Sequence, residues 1–315
     1  MTVQKQKPPT LLGIEPSAGA SGVQAIGGLQ RGAQRSALWC VAVKSIGEIR
    51  LAREVLETAS PLLYEKLGPE WMSEWGPLIR TAPQFEARHV IIDAILNQLK
   101  ITQVLEIGAG LSPRSLYMSR EGVAYSDLDL PFVAALKEEV AERIGSAPSS
   151  TLTINMGSAD NSTYMAKAVG QFTRRRRIAV VMEGVLRYHS IDKKIEILSN
   201  IAEILSQFKP GSVLITPDRN AIEALMHEDR ISGSPGLLDR NTGSKLAVNM
   251  FRTFEDAERL YLDQGFEISE RHPFGSVAGL ISPIRLRNAG IELTDQQVAD
   301  MLGPYQVLLM RLKRQ

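Results

Sequence analysis

The sequence contains a single cysteine, Cys40, so neither a disulfide nor a cysteine-rich metal site can form within the chain. Its four histidines are scattered and lack a metal-ligand spacing such as H-E-x-x-H. No apolar run approaches the ~18 residues needed to cross a bilayer, and the N-terminus lacks the order of charge, apolar run and cleavage site typical of a secretory signal. We therefore expect a protein without a metal or a membrane contact, in the reducing cytoplasm.

An excess of charge of one sign is also lacking. The 36 basic residues nearly balance the 35 acidic ones, which leaves a net charge of +1. Nucleic-acid binding would call for a strongly basic face, so we expect no nucleic-acid partner. A hydrophobic fraction of 44% in 315 residues is nevertheless enough for a sizeable buried core.

The first hundred residues differ from the rest of the chain. Residues 1–35 are rich in small and polar residues without a helical period and are interpreted as a flexible arm. Periodic apolar residues predict one helix from Ser36 to about Ala59 and another over residues 84–99. We expect residues 36–100 to form a helical cap.

From residue 101 to residue 315, short apolar strands alternate with helices. The predicted strands cover residues 103–107, 123–129, 151–156, 178–182, 212–216, 266–269 and 306–312. Such alternation is typical of a mainly parallel, doubly wound α/β sheet, here with seven strands.

Two connections, near residues 217–250 and 271–305, are much longer than the ordinary loops of about 2–6 residues in such sheets. Each follows a predicted strand at its carboxyl end, where open α/β sheets bind ligands. We therefore assign them to an inserted lid that encloses the substrate.

A glycine-rich turn follows the first predicted strand. Gly108 and Gly110 would let the backbone approach a ligand closely, although a tight turn that binds nothing is the alternative. The dinucleotide fingerprint needs a third glycine where this chain has Pro113. Glu106, before the turn, would repel a pyrophosphate but attract a sulfonium or ammonium group. The turn therefore favours a methyl donor over NAD.

Acidic residues follow two further strands at the same edge of the sheet. Asp129, with Asp127 as the second choice, is placed to accept hydrogen bonds from ribose hydroxyls, the alternative being a solvated helix cap. Glu183 and Gly184 directly follow the fourth predicted strand, and a carboxylate there needs a polar partner or water.

Six segments in order carry a resemblance to a known family. They are Ser36-Ala-Leu-Trp39, Ser60-Pro-Leu-Leu63, Phe85-Glu-Ala-Arg88 with Asp93, Val104–Arg114, Asp127–Val133 with Lys137, and Glu183-Gly-Val-Leu-Arg-Tyr188. The chain resembles the leucine carboxyl methyltransferase family, which includes bacterial O-methyltransferases of secondary metabolism. The resemblance covers most of residues 35–200.

The resemblance implies a class I methyltransferase fold with S-adenosylmethionine as co-substrate and no metal. It implies that Arg88 holds the carboxylate of the donor, which suits a guanidinium. Gly108 would lie at the methionine part, Asp129 at the ribose and Glu183 near the ammonium. Tyr188 would face the substrate.

Other positions stay open. The family often has an acidic pair after the third strand at the adenine, and here either Ser158 or Asp160 would take that place. Arg187 would bind an acidic acceptor or face solvent. His189 is the nearest candidate base for a hydroxyl acceptor. It can equally be interpreted as a residue without a catalytic role that precedes the helix cap Ser190.

These features together predict an O-methyltransferase that acts on a carboxylate or hydroxyl of a small metabolite, in secondary metabolism. Methyl transfer to nitrogen, sulfur or carbon is one alternative, and a non-catalytic protein that binds S-adenosylmethionine is another. The identity of the acceptor and the oligomeric state do not follow from the sequence.

Overall fold

The structure is a computed structural model that describes residues 28–47, 49–67, 81–145, 150–153, 167–232, 236, 246–280 and 294–313. Three helices come first, namely α1 (Gly28–Ile46), α2 (Ala52–Leu67) and α3 (Ala82–Gln98). The prediction of one helix from Ser36 to Ala59 is wrong, because the chain turns between α1 and α2, where Leu51 has a φ of 62°. Helix α1 also begins at Gly28, within the region predicted as an arm.

The prediction of a seven-stranded α/β sheet is confirmed within the described residues. The strands are β1 (Gln103–Ile107), β2 (Ala124–Asp129), β3 (Ser150–Thr153), β4 (Ala179–Met182), β5 (Val213–Thr216), β6 (Phe266–Pro273) and β7 (Gln306–Leu312). Their order is β3-β2-β1-β4-β5-β7-β6. Strands β1 to β5 are parallel, whereas β7 runs antiparallel to both β5 and β6.

Alternating side chains of the central strands enter two apolar cores, one on each face of the sheet. Val104 and Val181 belong to the core that contains α1 and α3, whereas Leu105 and Val180 belong to the core on the other face. The helices between the strands are α4 (Arg114–Arg120), α5 (Pro131–Arg143), α6 (Ile191–Ser206) and α8 (Phe254–Asp263). The sheet is therefore covered on both faces, as the doubly wound prediction requires.

The two long connections contain structure of their own. The first holds helix α7 (Ile222–Ser232) and a 3₁₀ turn (Leu246–Asn249), and a bridge between Ala221 and Phe251 joins its two ends. The second holds a 3₁₀ turn (Phe274–Leu280) and helix α9 (Asp295–Leu302). Among the described helices none is long and apolar enough to cross a membrane.

Candidate active site

A cavity of about 320 Å³ lies over the glycine turn after β1. Helices α1 and α3, the carboxyl ends of β1 and β2, and the residues that follow β1, β2 and β4 form its wall. Most of the residues singled out in the sequence line it, namely Arg88, Glu106, Gly108, Gly110, Asp129, Glu183, Gly184, Tyr188 and His189. We call this space the donor cavity. Ser158 and Asp160, the two candidates for the adenine contact, lie outside the described residues.

The glycine turn has a backbone that other residues rarely adopt. Gly108 and Gly110 have φ angles of +64° and +55°. A Cβ on Gly108 would lie 2.3 Å from Cγ2 of Val185, which packs directly over the turn. At Gly108, therefore, both the backbone conformation and the space require glycine.

Asp129 ends β2 beside this turn. Its Oδ2 accepts a hydrogen bond of 2.6 Å from the Gly110 amide, and its Oδ1 accepts one of 2.7 Å from the Leu130 amide. Burial raises the pKa of Asp129 to about 6, although both amides and Lys137 favour the charged form. The carboxylate is therefore charged at neutral pH, and each oxygen keeps a lone pair for a further donor such as a ribose hydroxyl.

Asp127 lies elsewhere. Its side chain is fully buried, its Oδ2 is 2.7 Å from Nζ of Lys137, and it does not line the donor cavity. The two aspartates point to the same side of the strand, as their spacing predicts. Asp129 is the last residue of β2, whereas Asp127 lies further inside the strand. The structure thus assigns Asp127 to a buried ion pair and favours Asp129 of the two ribose candidates.

Glu183 is surrounded by cations. Its carboxylate lies 2.8 Å from Nζ of Lys44, 2.8 Å from Nε of Arg88 and 3.3 Å from Nη2 of Arg114. Burial opposes ionisation, but the three cations outweigh it and hold the pKa of Glu183 well below its usual range. Lys44 was not selected from the sequence, since one lysine on an otherwise apolar helix face gives no sign of facing a ligand.

Glu106 belongs to the same buried cluster. It accepts hydrogen bonds of 2.6 Å from Nη1 of Arg114 and 2.6 Å from the hydroxyl of Tyr125. Arg114 is fully buried and also donates to Asp93 over 2.7 Å. Glu106 was expected to attract the cation of a ligand, but in the structure a cation of the protein already balances its charge.

Tyr188 and His189 lie at the end of a 3₁₀ turn after β4 (Leu186–Tyr188). The Tyr188 hydroxyl is within hydrogen-bond distance of Oγ of Ser36, at 3.2 Å, and burial raises the pKa of this tyrosine. Burial, followed by the positive charges of Lys193 and Lys194, lowers the pKa of His189 to about 4. At neutral pH His189 is therefore uncharged and a weak base.

A second, smaller cavity of about 60 Å³ adjoins the donor cavity. The two share five lining residues, Trp39, Phe85, Arg88, Gly184 and Arg187. The two long connections supply much of the remaining wall, with Pro217, Asp218, Arg219, Asn220, Ala224, Glu228, Phe274 and Tyr305. We call this space the second cavity.

Arg187 stands between the two cavities. Its Nη2 donates to both carboxylate oxygens of Glu228 on α7, at 2.9 and 3.2 Å. Its Nε and Nη1 have no partner among the described residues, so donors remain for a ligand.

The residues present fit a zwitterionic nucleoside such as S-adenosylmethionine. The volume of the donor cavity is within the range of about 300–1,000 Å³ typical of ligand sites. Cations and carboxylates lie at its Glu183 end, and Asp129 lies beside its glycine turn. The buried hydroxyl of Ser112, which also lines the cavity, lacks a hydrogen-bond partner among the described residues. Among the residues that the structure describes, no group of three or more His, Cys, Asp or Glu side chains is arranged to hold a metal.

A family model described as leucine carboxyl methyltransferase matches residues 63–202. This stretch contains Arg88, the glycine turn, Asp129 and Tyr188. The resemblance to the leucine carboxyl methyltransferase family is confirmed. Among curated proteins, none matches the sequence.

Solved structures share the fold. A DUF574 family protein from Streptomyces avermitilis superposes with a TM-score of 0.53 at 14% identity, over 88% of this chain and 97% of its own. A proposed methyltransferase from Thermobifida fusca gives a TM-score of 0.52 at 16% identity, over 98% of each chain. With the sheet order, they identify a class I methyltransferase fold. The family match on this fold supports an enzyme that uses S-adenosylmethionine for methyl transfer.

Proposed function

We propose that the protein transfers the methyl group of S-adenosylmethionine to an oxygen of a small metabolite. The proposal rests on one observation above all, the junction of the two cavities. The donor cavity lies over the glycine turn and adjoins the second cavity. Residues of the two long connections form much of the wall of the second cavity. The second cavity would hold the acceptor.

On the donor side, we assign Arg88 to the carboxylate of the methionine part. Glu183, which the resemblance places near the ammonium, already has Lys44, Arg88 and Arg114 as partners, so the ammonium would share this carboxylate with them. The backbone at Gly108 and Gly110 would lie against the ligand, and Asp129 would accept from the ribose hydroxyls. Ser158 or Asp160 would contact the adenine. When bound, S-adenosylmethionine supplies a methyl group that its sulfonium has already activated for displacement.

The chain itself must then bring the acceptor into line and exclude water. The aromatic side chains of Trp39 and Phe85, at the junction of the cavities, would help both to align the acceptor and to exclude water. Tyr188 would orient the acceptor as a hydrogen-bond donor, because a tyrosine hydroxyl is protonated at neutral pH.

Among oxygen acceptors, a carboxylate is favoured because the site has no strong base among its described residues. A carboxylate acceptor needs none, whereas a hydroxyl would profit from one. His189 has a pKa of about 4, so it would assist a hydroxyl only weakly. The free donors of Arg187 at the junction would also suit an oxygen-rich acceptor.

A small acceptor is favoured because both long connections close around the second cavity. Tyr305 stacks on Phe274 and donates from its hydroxyl to the backbone oxygen of Ala224 over 3.1 Å. These contacts join the second connection to α7 of the first. Such an enclosure suits a metabolite better than a protein chain end, and better than nucleic acid.

Titration calorimetry with S-adenosylhomocysteine tests the donor side, and saturable binding at one site is expected. A tritiated methyl donor is then incubated with fractions of a bacterial metabolite extract. Label should enter a small molecule. Mild alkali would release it as methanol from a carboxyl ester but not from an ether or from a methyl on nitrogen, sulfur or carbon. Binding without transfer to any fraction would favour the non-catalytic alternative, and absence of binding would refute the proposal.

A further inference from the structure

Asp218 follows β5 and lies beyond the stretch that the family model matches. Its carboxylate accepts three hydrogen bonds from the backbone of the segment after β4. Oδ1 accepts from the Gly184 amide at 2.6 Å, and Oδ2 accepts from the amides of Val185 and Leu186 at 2.7 and 2.9 Å. One buried side chain thus binds three consecutive peptide groups of a neighbouring loop.

The backbone of Asp218 makes two hydrogen bonds of its own. Its amide donates to Oγ1 of Thr216, at the end of β5, over 3.0 Å. Its carbonyl oxygen accepts a hydrogen bond of 2.7 Å from the hydroxyl of Tyr261 on α8. The bond to Thr216 ties Asp218 to the end of β5, so the carboxylate extends from the sheet and can restrain the loop that it binds.

Three backbone amides stabilise the charge of the Asp218 carboxylate. No described Lys or Arg forms an ion pair with Asp218, which is only 5% exposed. A buried charge without hydrogen bonds would be costly, and three charge-assisted bonds offset part of that cost, although burial still raises the pKa of Asp218. The bonds also lie at the start of the 3₁₀ turn Leu186–Tyr188, where free amides favour an anion.

The loop bound by Asp218 forms part of both cavities. Val185 packs over Gly108 in the donor cavity, where its Cγ2 takes the space of a side chain on the glycine turn. Arg187 stands between the cavities, and Asp218 itself lines the second. Any change in this loop would therefore alter the donor and acceptor sides together.

We propose that Asp218 is a positioning residue, which holds the loop after β4 so that Val185 closes on the glycine turn and Arg187 stays between the two cavities. This inference rests on the proposed function, because it takes the donor cavity to be the site of S-adenosylmethionine. It adds a residue from the acceptor side that controls the shape of the donor side.

The variant Asp218→Asn tests this role. An amide has one acceptor oxygen, so at least one of the three backbone amides would lose its acceptor or face an NH₂ group. Tyr261→Phe is the matched control, since it removes one buried hydrogen bond to the same residue but leaves the carboxylate and its three bonds intact. Both variants and the wild-type chain are compared by thermal unfolding, by calorimetry with S-adenosylhomocysteine and by amide hydrogen exchange.

A positioning role predicts that Asp218→Asn weakens binding of S-adenosylhomocysteine at least tenfold and speeds amide exchange at residues 184–186. Tyr261→Phe should lower the unfolding temperature yet leave affinity and exchange within twofold of the wild type. If Asp218→Asn bound S-adenosylhomocysteine and exchanged its amides at residues 184–186 as the wild type does, the inference would be overturned. An equal loss in both variants would also overturn it, because that would indicate general destabilisation.

If Asp218→Asn does not fold, amide hydrogen exchange in the wild-type protein without ligand decides whether the loop after β4 is restrained. Slow exchange of the amides of Gly184, Val185 and Leu186 supports the restraint, and fast exchange refutes it. Failure of the wild-type chain to bind S-adenosylhomocysteine would contradict the proposed function instead, so the two failures are distinguishable.

Discussion

Arg88 donates from Nε to Oε1 of Glu183 over 2.8 Å, so the group assigned to the donor's carboxylate is paired with the group assigned to its ammonium. The guanidinium also stacks on Phe85, with its central carbon 3.7 Å from the ring centroid. Its Nη1 and Nη2 have no partner among the described residues. Arg88 can therefore bind a carboxylate with its outer edge while it keeps the pair with Glu183.

The variant Arg88→Ala should weaken the binding of S-adenosylhomocysteine by about 2 kcal/mol or more, because a charge-assisted, bidentate contact is lost. The fold should survive, since Lys44 and Arg114 still neutralise Glu183. Calorimetry measures the change. Arg50→Ala, which removes an exposed pair with Glu121, is the control and should bind as the wild type does. Unchanged affinity in Arg88→Ala would refute the assignment.

The role of Gly108 is tested by Gly108→Ala beside Gly122→Ala. Both glycines have positive φ angles, +64° and +85°, so in each variant the backbone strain alone should cost about 1 kcal/mol in free energy of unfolding. Only at Gly108 does the new methyl meet a neighbour, Cγ2 of Val185, whereas Gly122 has nothing within 4 Å. Urea unfolding and calorimetry should show reduced stability in both variants but loss of donor binding only in Gly108→Ala. Equal donor affinity in the two would contradict the assignment of the turn.

Asp129 predicts a pH dependence of donor binding. Its carboxyl has a pKa of about 6, so it is charged above that pH and protonated below it. The charged form is the better acceptor for ribose hydroxyls, and affinity for S-adenosylhomocysteine should therefore fall as the pH drops from 7.5 to 5. His189 titrates lower, near pH 4.

Asp129→Asn is neutral at every pH and should bind weakly with no step near pH 6. Calorimetry at several pH values, in wild type and variant, checks both statements. A step that persists in Asp129→Asn would assign the titration to another group.

The buried pair of Asp127 and Lys137 predicts a large effect on stability. Lys137→Met leaves a fully buried carboxylate without its cation, which should lower the free energy of unfolding by about 3–5 kcal/mol. Arg143→Met removes an exposed pair with Glu139 and should change it by less than about 1 kcal/mol. Urea unfolding of both variants tests this difference. A loss in Lys137→Met as small as that in Arg143→Met would contradict the stabilising role of the buried pair.

Much of the sheet was predictable because its central strands are short, apolar and buried on both faces. Strands β1 and β7 have the predicted bounds, Gln103–Ile107 and Gln306–Leu312. The break between α1 and α2 was missed, since the apolar period continues through residues that instead form a turn. Periodicity reports which face is buried, and it does not report where a helix folds back on its neighbour.

The candidate site was predictable where its residues follow a strand, as Asp129 and Glu183 do. Lys44 and Asp218 were missed for another reason. Each acts through partners far away in the chain, Lys44 through Glu183 and Asp218 through the backbone of residues 184–186. Backbone amides have no sequence signature, so no pattern along the chain could indicate that pairing.

Strand β7 follows β6 in the chain but lies between β5 and β6 in the sheet. During synthesis, β6 therefore has no neighbour to pair with until residues 306–312 have left the ribosome. The helices and the five parallel strands can assemble earlier, while the edge of β5 stays open. Closure of the sheet, and with it the final placement of the second connection against α7, is thus a late event in the maturation of the protein.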